Sequence, residues 1–87
     1  MIDMNNIYDI IGYVLCSNYR RQVLNSLLTG TKTSRDIADE LGFKRPAISK
    51  AINELKNNDL VVVDGRKYAI TDLGTKVITS INNRGVI

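Results

Sequence analysis

Hydrophobic positions repeat with a helical period in five stretches of the chain. The first stretch, about residues 5–16, is apolar on nearly all sides, and only Asp9 and Gly12 interrupt it. A helix that is hydrophobic on several faces is normally buried on several faces. Because a domain of this size cannot wrap one of its own terminal helices completely, the pattern favours one face on the core and another on a partner chain. The alternative is a helix that lies in a groove of its own chain and exposes its tyrosine hydroxyls.

The second stretch, about residues 19–28, has one apolar stripe and one polar side. Ser17 and Asn18 precede it, and both are good N-cap residues. Gly30 follows it, in a position that favours a left-handed C-terminal cap. The pattern therefore predicts a second, amphipathic helix.

Two short helices joined by a tight turn are predicted from Thr33 onward. The first begins at Thr33, whose hydroxyl forms a shortened capping box with the Asp36 carboxylate. It ends at Gly42, which we expect to have a positive φ. The second runs over about residues 45–58, and Pro46 is tolerated in its first turn because that N–H has no helical partner. Two helices with such a turn describe a helix-turn-helix unit, and in its DNA-binding version the second helix enters the major groove.

The hydrophobic period then changes from helical to extended over about residues 60–70. Two short runs flank Asp64-Gly65, which is a strong local signal for a hairpin with a two-residue type I′ turn. Pairing about that turn gives two opposite pairs, Val63 with Arg66 and Val61 with Tyr68.

Thr71 caps a last predicted helix, over about residues 72–82. Its apolar stripe consists of Leu73, Val77, Ile78 and Ile81. The complete order, α-α-α-α-β-β-α, predicts a mainly α fold with a small β-hairpin. A length of 87 residues leaves room for one domain, so we expect residues 1–87 to form a single unit.

Residues that carry chemistry are scarce. The chain has no histidine and a single cysteine, Cys16, so the commonest general base is missing and a structural zinc site cannot be completed. We therefore expect no catalytic residue, no metal and no cofactor, and we expect Cys16 to be packed and inert. No run approaches the roughly 18 apolar residues of a membrane span, and the N-terminus lacks the basic segment of a secretory signal. One cysteine fits a reducing cytoplasm.

The net charge of +3 is unevenly placed. Residues 44–67 hold six lysines and arginines against three acidic residues, whereas residues 1–43 have a small negative excess. A localised basic stripe is the electrostatic footprint of a nucleic-acid binder. On charge alone, an ordinary solvated face is an equal alternative.

The chain resembles the winged helix-turn-helix of prokaryotic transcription regulators, in particular the compact archaeal and bacterial proteins of the ArsR-like and MarR-like groups. The resemblance covers about residues 17–80 and rests on five segments in order: Tyr19–Leu24, Thr33–Gly42, Ala47–Leu55, Asp59–Val61 and Tyr68–Gly74. Lys44 departs from the serine or threonine that usually precedes the family's recognition helix. That helix start is open either to a DNA phosphate or to capping by water. The chain lacks the cysteine pair or histidine set of metal-sensing ArsR-like proteins, so metal sensing is not implied.

The resemblance implies a sequence-specific regulator that binds double-stranded DNA as a homodimer. Its recognition helix, about residues 45–58, would lie in the major groove, and its wing, about residues 60–70, on the backbone or in the minor groove. Arginine or lysine pairs with guanine and asparagine with adenine, so the base-edge candidates are Arg45, Lys50 and Asn53. The other DNA-contact candidates are small side chains of the recognition helix, two wing residues and three phosphate-binding cations: Pro46, Ala47, Ser49, Arg66, Lys67, Lys32, Arg35 and Lys44.

Dimerisation is expected to use the first and last helices. Its candidate residues are Ile7, Ile10, Ile11, Val14, Val77 and Ile81. Two recognition helices would then lie about one DNA turn, roughly 34 Å, apart. No small-molecule effector is evident, and a solvated role for Asn53 is an equal alternative.

The alternative function is a winged-helix protein-interaction module without specific DNA readout. Such a module would be an adaptor subunit of a larger nucleic-acid machine and would dock through its apolar first helix. RNA binding is a third, minor alternative. An enzyme is least expected, because no nucleophile–base pair is visible in the sequence.

Overall fold

The computed structural model describes residues 6–84 and confirms the order α-α-α-α-β-β-α. The helices are α1 (Ile7–Leu15), α2 (Asn18–Ser26), α3 (Ser34–Leu41), α4 (Arg45–Asn57) and α5 (Asp72–Arg84). The strands are β1 (Val61–Asp64) and β2 (Lys67–Ile70), and a 3₁₀ turn, Leu27–Thr29, continues α2. The expected helix start at residue 5 lies outside the described residues.

Side-chain caps begin α1, α2, α3 and α5. The Asn6 side chain accepts a hydrogen bond from the Tyr8 N–H at 2.9 Å, and the Ser17 hydroxyl accepts one from the Arg20 N–H at 3.3 Å. The predicted capping box of α3 is present, and the Thr71 hydroxyl accepts from the Gly74 N–H at 2.9 Å. These caps satisfy N–H groups that have no partner within their own helix.

The core lies around α2, which packs on every other helix. On one side of it are α1 and α5; on the other are α3 and α4, with the hairpin attached to α4. The apolar stripes expected from the sequence face this core. Its buried hydrophobic residues are Ile10, Ile11, Val14, Val23, Leu24, Leu27, Ile37, Ala38, Ile48, Ala51, Ile52, Leu55, Leu60, Val61, Val77, Ile78 and Ile81.

The predicted register of the hairpin is wrong by two residues. Asp64 pairs with Lys67 and Val61 with Ile70, so the two-residue turn consists of Gly65 and Arg66. Only Gly65 of these two has a positive φ, 65°. A single positive φ at a first central glycine is the feature of a type II′ turn, whereas type I′ needs a positive φ at both central residues. Because the shift is an even number, each side chain stays on the predicted face of the sheet.

The end of α2 also differs from the prediction. Gly30 has φ 143° and ψ 175°, which is an extended mirror-image conformation and not the left-handed helical one. The reason is the 3₁₀ turn, which closes the helix with a bond from the Gly30 N–H to the Leu27 carbonyl at 3.3 Å. The freed chain then turns back, and Lys32 pairs with Tyr68 of β2 as an isolated bridge. The outer edge of β2 is thereby joined to the segment between α2 and α3.

Candidate nucleic-acid interface

The turn between α3 and α4 sets the direction of α4. Gly42 has φ 71°, the predicted left-handed conformation, and its N–H donates to the Ala38 carbonyl at 2.9 Å. Phe43 follows and packs edge-on against the Tyr19 ring, with ring centres 4.9 Å apart. The turn is therefore anchored to α2, so α4 leaves it in a defined direction.

The start of α4 has no side-chain cap. Lys44 occupies the N-cap position with an extended backbone, and no side chain accepts a bond from the first turn. The Lys44 carbonyl accepts from the Ala47 and Ile48 N–H groups at 3.1 and 3.3 Å. The side chains of Lys44 and Arg45 are exposed and are not used to close the helix.

The outward face of α4 brings together the residues predicted to meet DNA bases. Arg45, Lys50 and Asn53 are exposed, as are the small residues Pro46 and Ser49, whereas Ala47 is half-buried. The opposite side of the helix is fully used by the core through Ile48, Ala51, Ile52 and Leu55. The helix therefore presents one polar, solvent-facing side that begins at its N-terminal turn.

Among residues 6–84, most cations near this face belong to no ion pair. Within residues 6–84 the ion pairs are Arg20–Glu54 and Lys32–Glu40. The other candidate cations are exposed or partly exposed and lie outside these pairs: Arg35, Lys44, Arg45, Lys50, Arg66 and Lys67. Unpaired cations on a surface are available to neutralise phosphates.

The wing comes close to the start of α3. The pKa of Asp36 is lowered first by the Thr33 N–H that donates to its carboxylate, then by the Thr33 hydroxyl, and further by the charges of Lys67 and Arg35. Lys67 belongs to β2 and Arg35 to α3, so two predicted phosphate contacts from different elements lie within electrostatic range of one carboxylate. Sequence spacing alone does not bring them together.

Lys32 has a different role from the predicted phosphate contact. Its ammonium donates to the Ser26 carbonyl at 2.6 Å, to the Ser26 and Thr29 hydroxyls at 3.0 and 2.9 Å, and to Glu40 at 2.6 Å. Its side chain is only 18% exposed. Because every donor of its ammonium is used inside the chain, Lys32 connects the 3₁₀ turn to α3. We therefore leave it out of the candidate interface.

The predicted dimerisation residues are also placed differently. Ile10, Ile11, Val14, Val77 and Ile81 belong to the chain's own core, and Ile7 packs against it. The sequence reasoning chose the wrong side of α1, because a helix that is apolar all round does not show which face is inside. The exposed apolar side of α1 instead carries Leu15, which is 52% exposed. Gly12, one turn before it, has no atom within 4 Å of the position a β-carbon would take.

Cys16 is exposed at the end of α1, so the expectation that it is packed was wrong. Within the described part of the chain, no group of three or more histidine, cysteine or acidic residues is placed to bind a metal ion. None of the described helices is long and apolar enough to cross a membrane.

A cluster that sequence reasoning missed links α1, α2 and α4. The Arg20 guanidinium donates to both carboxylate oxygens of Glu54, at 2.9 and 3.3 Å, and to the Tyr13 carbonyl at 2.9 Å. It also lies 3.9 Å from the centre of the Tyr13 ring, a cation–π distance. No local signal reveals such a cluster, because Arg20 and Glu54 are 34 residues apart.

Small clefts open on the described surface, of which we describe two. One, of about 310 Å³, lies between α2 and α4 and includes Ser17, Tyr19, Lys50 and the Arg20–Glu54 pair. The other, of about 260 Å³, lies between the 3₁₀ turn and β2, lined by Leu27, Leu28, Gly30, Thr31, Ala69 and Ile70. Both are at or below the lower limit of the usual ligand sites.

The family model described as HVO_A0261 N-terminal domain matches residues 8–84. The chain belongs to this family. No curated protein sequence matches it significantly.

Solved structures that share this fold include those of transcription regulators. TubR from Bacillus thuringiensis serovar israelensis pBtoxis, bound to 24 bp of tubC, superposes with a TM-score of 0.79 at 17% identity, over 91% of this chain and 95% of that chain. A MarR/EmrR family regulator from Acinetobacter sp. ADP1 gives 0.75 at 14% identity, over 91% and 62%. The homodimeric DNA-binding domain of Mb0332 from Mycobacterium bovis, a possible ArsR-family regulator, gives 0.71 at 22% identity, over 86% and 74%. The fold is thus that of MarR- and ArsR-family winged-helix regulators.

Proposed function

We propose that this chain is a transcription regulator that binds double-stranded DNA sequence-specifically as a homodimer. The observation that supports it best is the outward face of α4, where Arg45, Lys50 and Asn53 are exposed together on one side of a helix. Neither cation belongs to an ion pair among the described residues. In this proposal α4 lies in the major groove, and the β1–β2 hairpin meets the backbone or the minor groove.

The chemistry of the α4 face suits the reading of base edges. Recognition helices contact bases chiefly with their N-terminal residues, and Arg45 is the first residue of α4. Arginine or lysine can bond guanine, and asparagine can bond adenine, with about 1–3 kcal/mol of discrimination for each good pair. Pro46 and Ser49 between them are small, which permits a close approach to the groove floor.

Cations around this face are suited to hold the backbone. Lys44 lies at the entry of α4, Arg35 and Lys67 lie near the start of α3, and Arg66 lies in the turn of the hairpin. Phosphate contacts position a protein on the duplex but do not read its sequence. We therefore assign these four residues to affinity, and the α4 face to specificity.

Two solved structures of the same fold support the partners in this proposal. TubR was solved on a DNA duplex, and the Mb0332 domain is a homodimer. A dimer would present two α4 helices to successive turns of DNA. We propose that the contact between protomers includes the exposed side of α1 around Leu15, in place of the buried residues first expected.

Three alanine variants test the assignment of roles. The duplex is one that the wild-type chain selects from a random pool, and a scrambled duplex serves as the reference. Arg45→Ala is expected to reduce the preference for the selected duplex by roughly 5- to 150-fold, equivalent to about 1–3 kcal/mol. Arg66→Ala is expected to weaken both duplexes about equally and to lower the slope of log affinity against log salt by about 1.

Lys76→Ala is the matched control, because Lys76 is an exposed lysine of α5, a helix whose main contacts are with α1 and α2. It is expected to change neither the preference nor the salt slope. The proposal fails if the wild-type chain binds no duplex in a salt-sensitive manner. A monomer that is indifferent to DNA would instead support the adaptor alternative.

A further inference from the structure

The guanidinium of Arg20 connects α1, α2 and α4. In the proposed dimer, these helices have to keep a fixed orientation relative to one another. Arg20 belongs to α2, and it donates to Glu54 of α4 through Nε at 3.3 Å and Nη2 at 2.9 Å. Its Nη1 donates to the main-chain carbonyl of Tyr13, in α1, at 2.9 Å. A planar arginine fork holds a carboxylate in one orientation, which a lysine cannot do.

Tyr13 and Glu54, which Arg20 joins, lie next to the surfaces that we propose to contact a second copy and DNA. Tyr13 is in the last turn of α1, beside Gly12 and two residues before Leu15, on the helix proposed to meet a second copy. Glu54 follows Asn53 directly and lies one turn after Lys50, in the helix proposed to read bases. The Tyr13 carbonyl is one of the terminal carbonyls of α1 that has no partner within the helix, so the arginine satisfies it as well.

The link joins α1 to α4, two helices that have little direct contact with each other, through α2, which packs on both. α1 packs mainly on α2 and α5, whereas α4 packs on α2, α3 and β1. The side chains of Arg20 and Glu54 are 16% and 29% exposed, so solvent screens them less than a surface pair. The Glu54 pKa is lowered, first by the hydrogen bonds from Arg20, which indicates that the carboxylate is held in its charged form.

We propose that Arg20 is a positioning residue that sets the angle of the recognition helix relative to the dimer contact. Arg20 touches no DNA in this proposal and acts through Glu54. Its consequence is a fixed distance between the two α4 helices of a dimer, and hence a preference for one spacing of half-sites. This inference rests on the proposed DNA-binding function and deepens it.

The test compares half-site spacings. Binding is measured for the selected two-half-site duplex, for versions with one base pair added or removed between the half-sites, and for a single half-site. Arg20→Met, which keeps an apolar stem but loses the fork, is expected to reduce the preference for the best spacing by roughly 2- to 30-fold, the range found for residues that couple distant sites. Binding to the single half-site is expected to change little.

Glu54→Gln supplies a second variant, since it keeps the shape of Glu54 and removes its charge. It is expected to reduce the spacing preference in the same way, and the double variant is expected to be no worse than Arg20→Met alone. Arg21→Met is the matched control, because the Arg21 guanidinium bonds Asn18 within its own helix at 2.7 Å. A purely structural role for Arg20 would weaken all duplexes by one common factor and leave the spacing preference intact.

The following outcomes would overturn the positioning role of Arg20. An unchanged spacing preference in Arg20→Met and Glu54→Gln, or an equal loss in Arg21→Met, overturns the inference. If the wild-type chain selects a duplex but accepts all spacings equally, DNA binding stands and the positioning role is overturned. If the wild-type chain selects no duplex at all, the proposed function itself fails, and the inference fails with it.

Discussion

At the scale of single residues, three backbone positions with a positive φ direct the chain around the helix-turn-helix unit formed by α3, its turn and α4. Gly42 and Gly65 have φ values of 71° and 65° and form the turns before α4 and within the hairpin. Asp59 has φ 62° and ends α4, where the Leu60 N–H donates to the Leu55 carbonyl at 3.0 Å. That bond belongs to the Schellman pattern of helix ends, in which glycine is usual and aspartate is tolerated.

Gly74 is required because its position leaves no room for a β-carbon, and not because of its φ. A β-carbon at Gly74 would overlap the carbonyl oxygen of Leu60 and lie 2.8 Å from Cγ1 of Ile70. Gly74→Ala is therefore expected to lower the free energy of unfolding by about 1–2 kcal/mol, because overpacking costs more than the roughly 0.5–1 kcal/mol that alanine gains over glycine inside a helix. Chemical denaturation monitored by circular dichroism measures this difference.

Lys76→Ala is the control for this prediction, since it changes an exposed side chain two residues further along α5. It is expected to alter the unfolding free energy by less than about 0.5 kcal/mol, as surface substitutions usually do. If Gly74→Ala proves as stable as the wild-type chain, the close contact between α5 and Leu60 is not required.

At the scale of elements, charged side chains connect parts of the fold that apolar packing leaves apart. Lys32 joins the 3₁₀ turn to α3 through Glu40, and its backbone pairs with Tyr68 of the wing at 2.7 and 3.1 Å. The hairpin is therefore connected to α3 through a residue that precedes both. This placement explains why Lys32 serves the architecture, although its charge and position suggested a phosphate contact.

The Lys32–Glu40 tie predicts a loss of stability in acid. The pKa of Glu40 is lowered first by the hydrogen bond from the Lys32 ammonium and then by that from the Ser26 hydroxyl. A carboxyl group whose pKa is lower in the folded state stabilises the fold above the unfolded-state pKa, about 4.3 for glutamate, and loses that contribution as the pH falls through the folded-state value. Glu54 acts in the same direction, because Arg20 lowers its pKa.

Glu40→Gln separates this contribution from general acid unfolding. The variant is expected to melt at a lower temperature than the wild-type chain at pH 7 and to approach it at pH 3, where the wild-type carboxylate is being protonated. Asp39→Asn, one residue earlier and exposed on α3, is the matched control and is expected to keep the wild-type difference between the two pH values. Parallel melting curves of Glu40→Gln and wild type at both pH values would contradict the prediction.

At the scale of the whole molecule, α1 exposes an apolar side chain that the core of the described residues does not use. Leu15, on α1, is 52% exposed, and most of α1's other aliphatic side chains are buried in the core. Within the chain, α1 is therefore held in place by the contacts of one of its faces only. A second copy that packs on the other face would cover Leu15 and bring two α4 helices into one dimer.

Leu15→Glu tests this dimer surface. Burying a carboxylate against apolar side chains costs at least about 1–3 kcal/mol, so dimer dissociation is expected to increase roughly tenfold or more, as measured by sedimentation equilibrium. The control is Leu28→Glu, because Leu28 is also exposed, at 39%, but lies in the 3₁₀ turn beside the wing. A wild-type chain that stays monomeric, or an equal effect of Leu28→Glu, would exclude this face.

Local sequence signals determined the elements and their order. Hydrophobic periodicity places each helix within a few residues of its observed bounds, because one stripe must face the core. Local chemistry also determined the capping box at Thr33 and Asp36 and the left-handed Gly42, since both depend only on neighbours along the chain. The solvent-facing side of α4, with Arg45, Lys50 and Asn53, follows from the same periodicity.

Contacts between distant segments were decided only by the tertiary structure. They include the side of α1 that is buried, the tie made by Lys32 and the link between Arg20 and Glu54. The hairpin register is a separate case, because it depends on the local turn, in which Gly65 takes the first central position. The physical reason for these contacts is the same. A helix that is apolar on every face, or a charge with several accessible partners, is compatible with many local arrangements. Packing of elements far apart in the chain selects one.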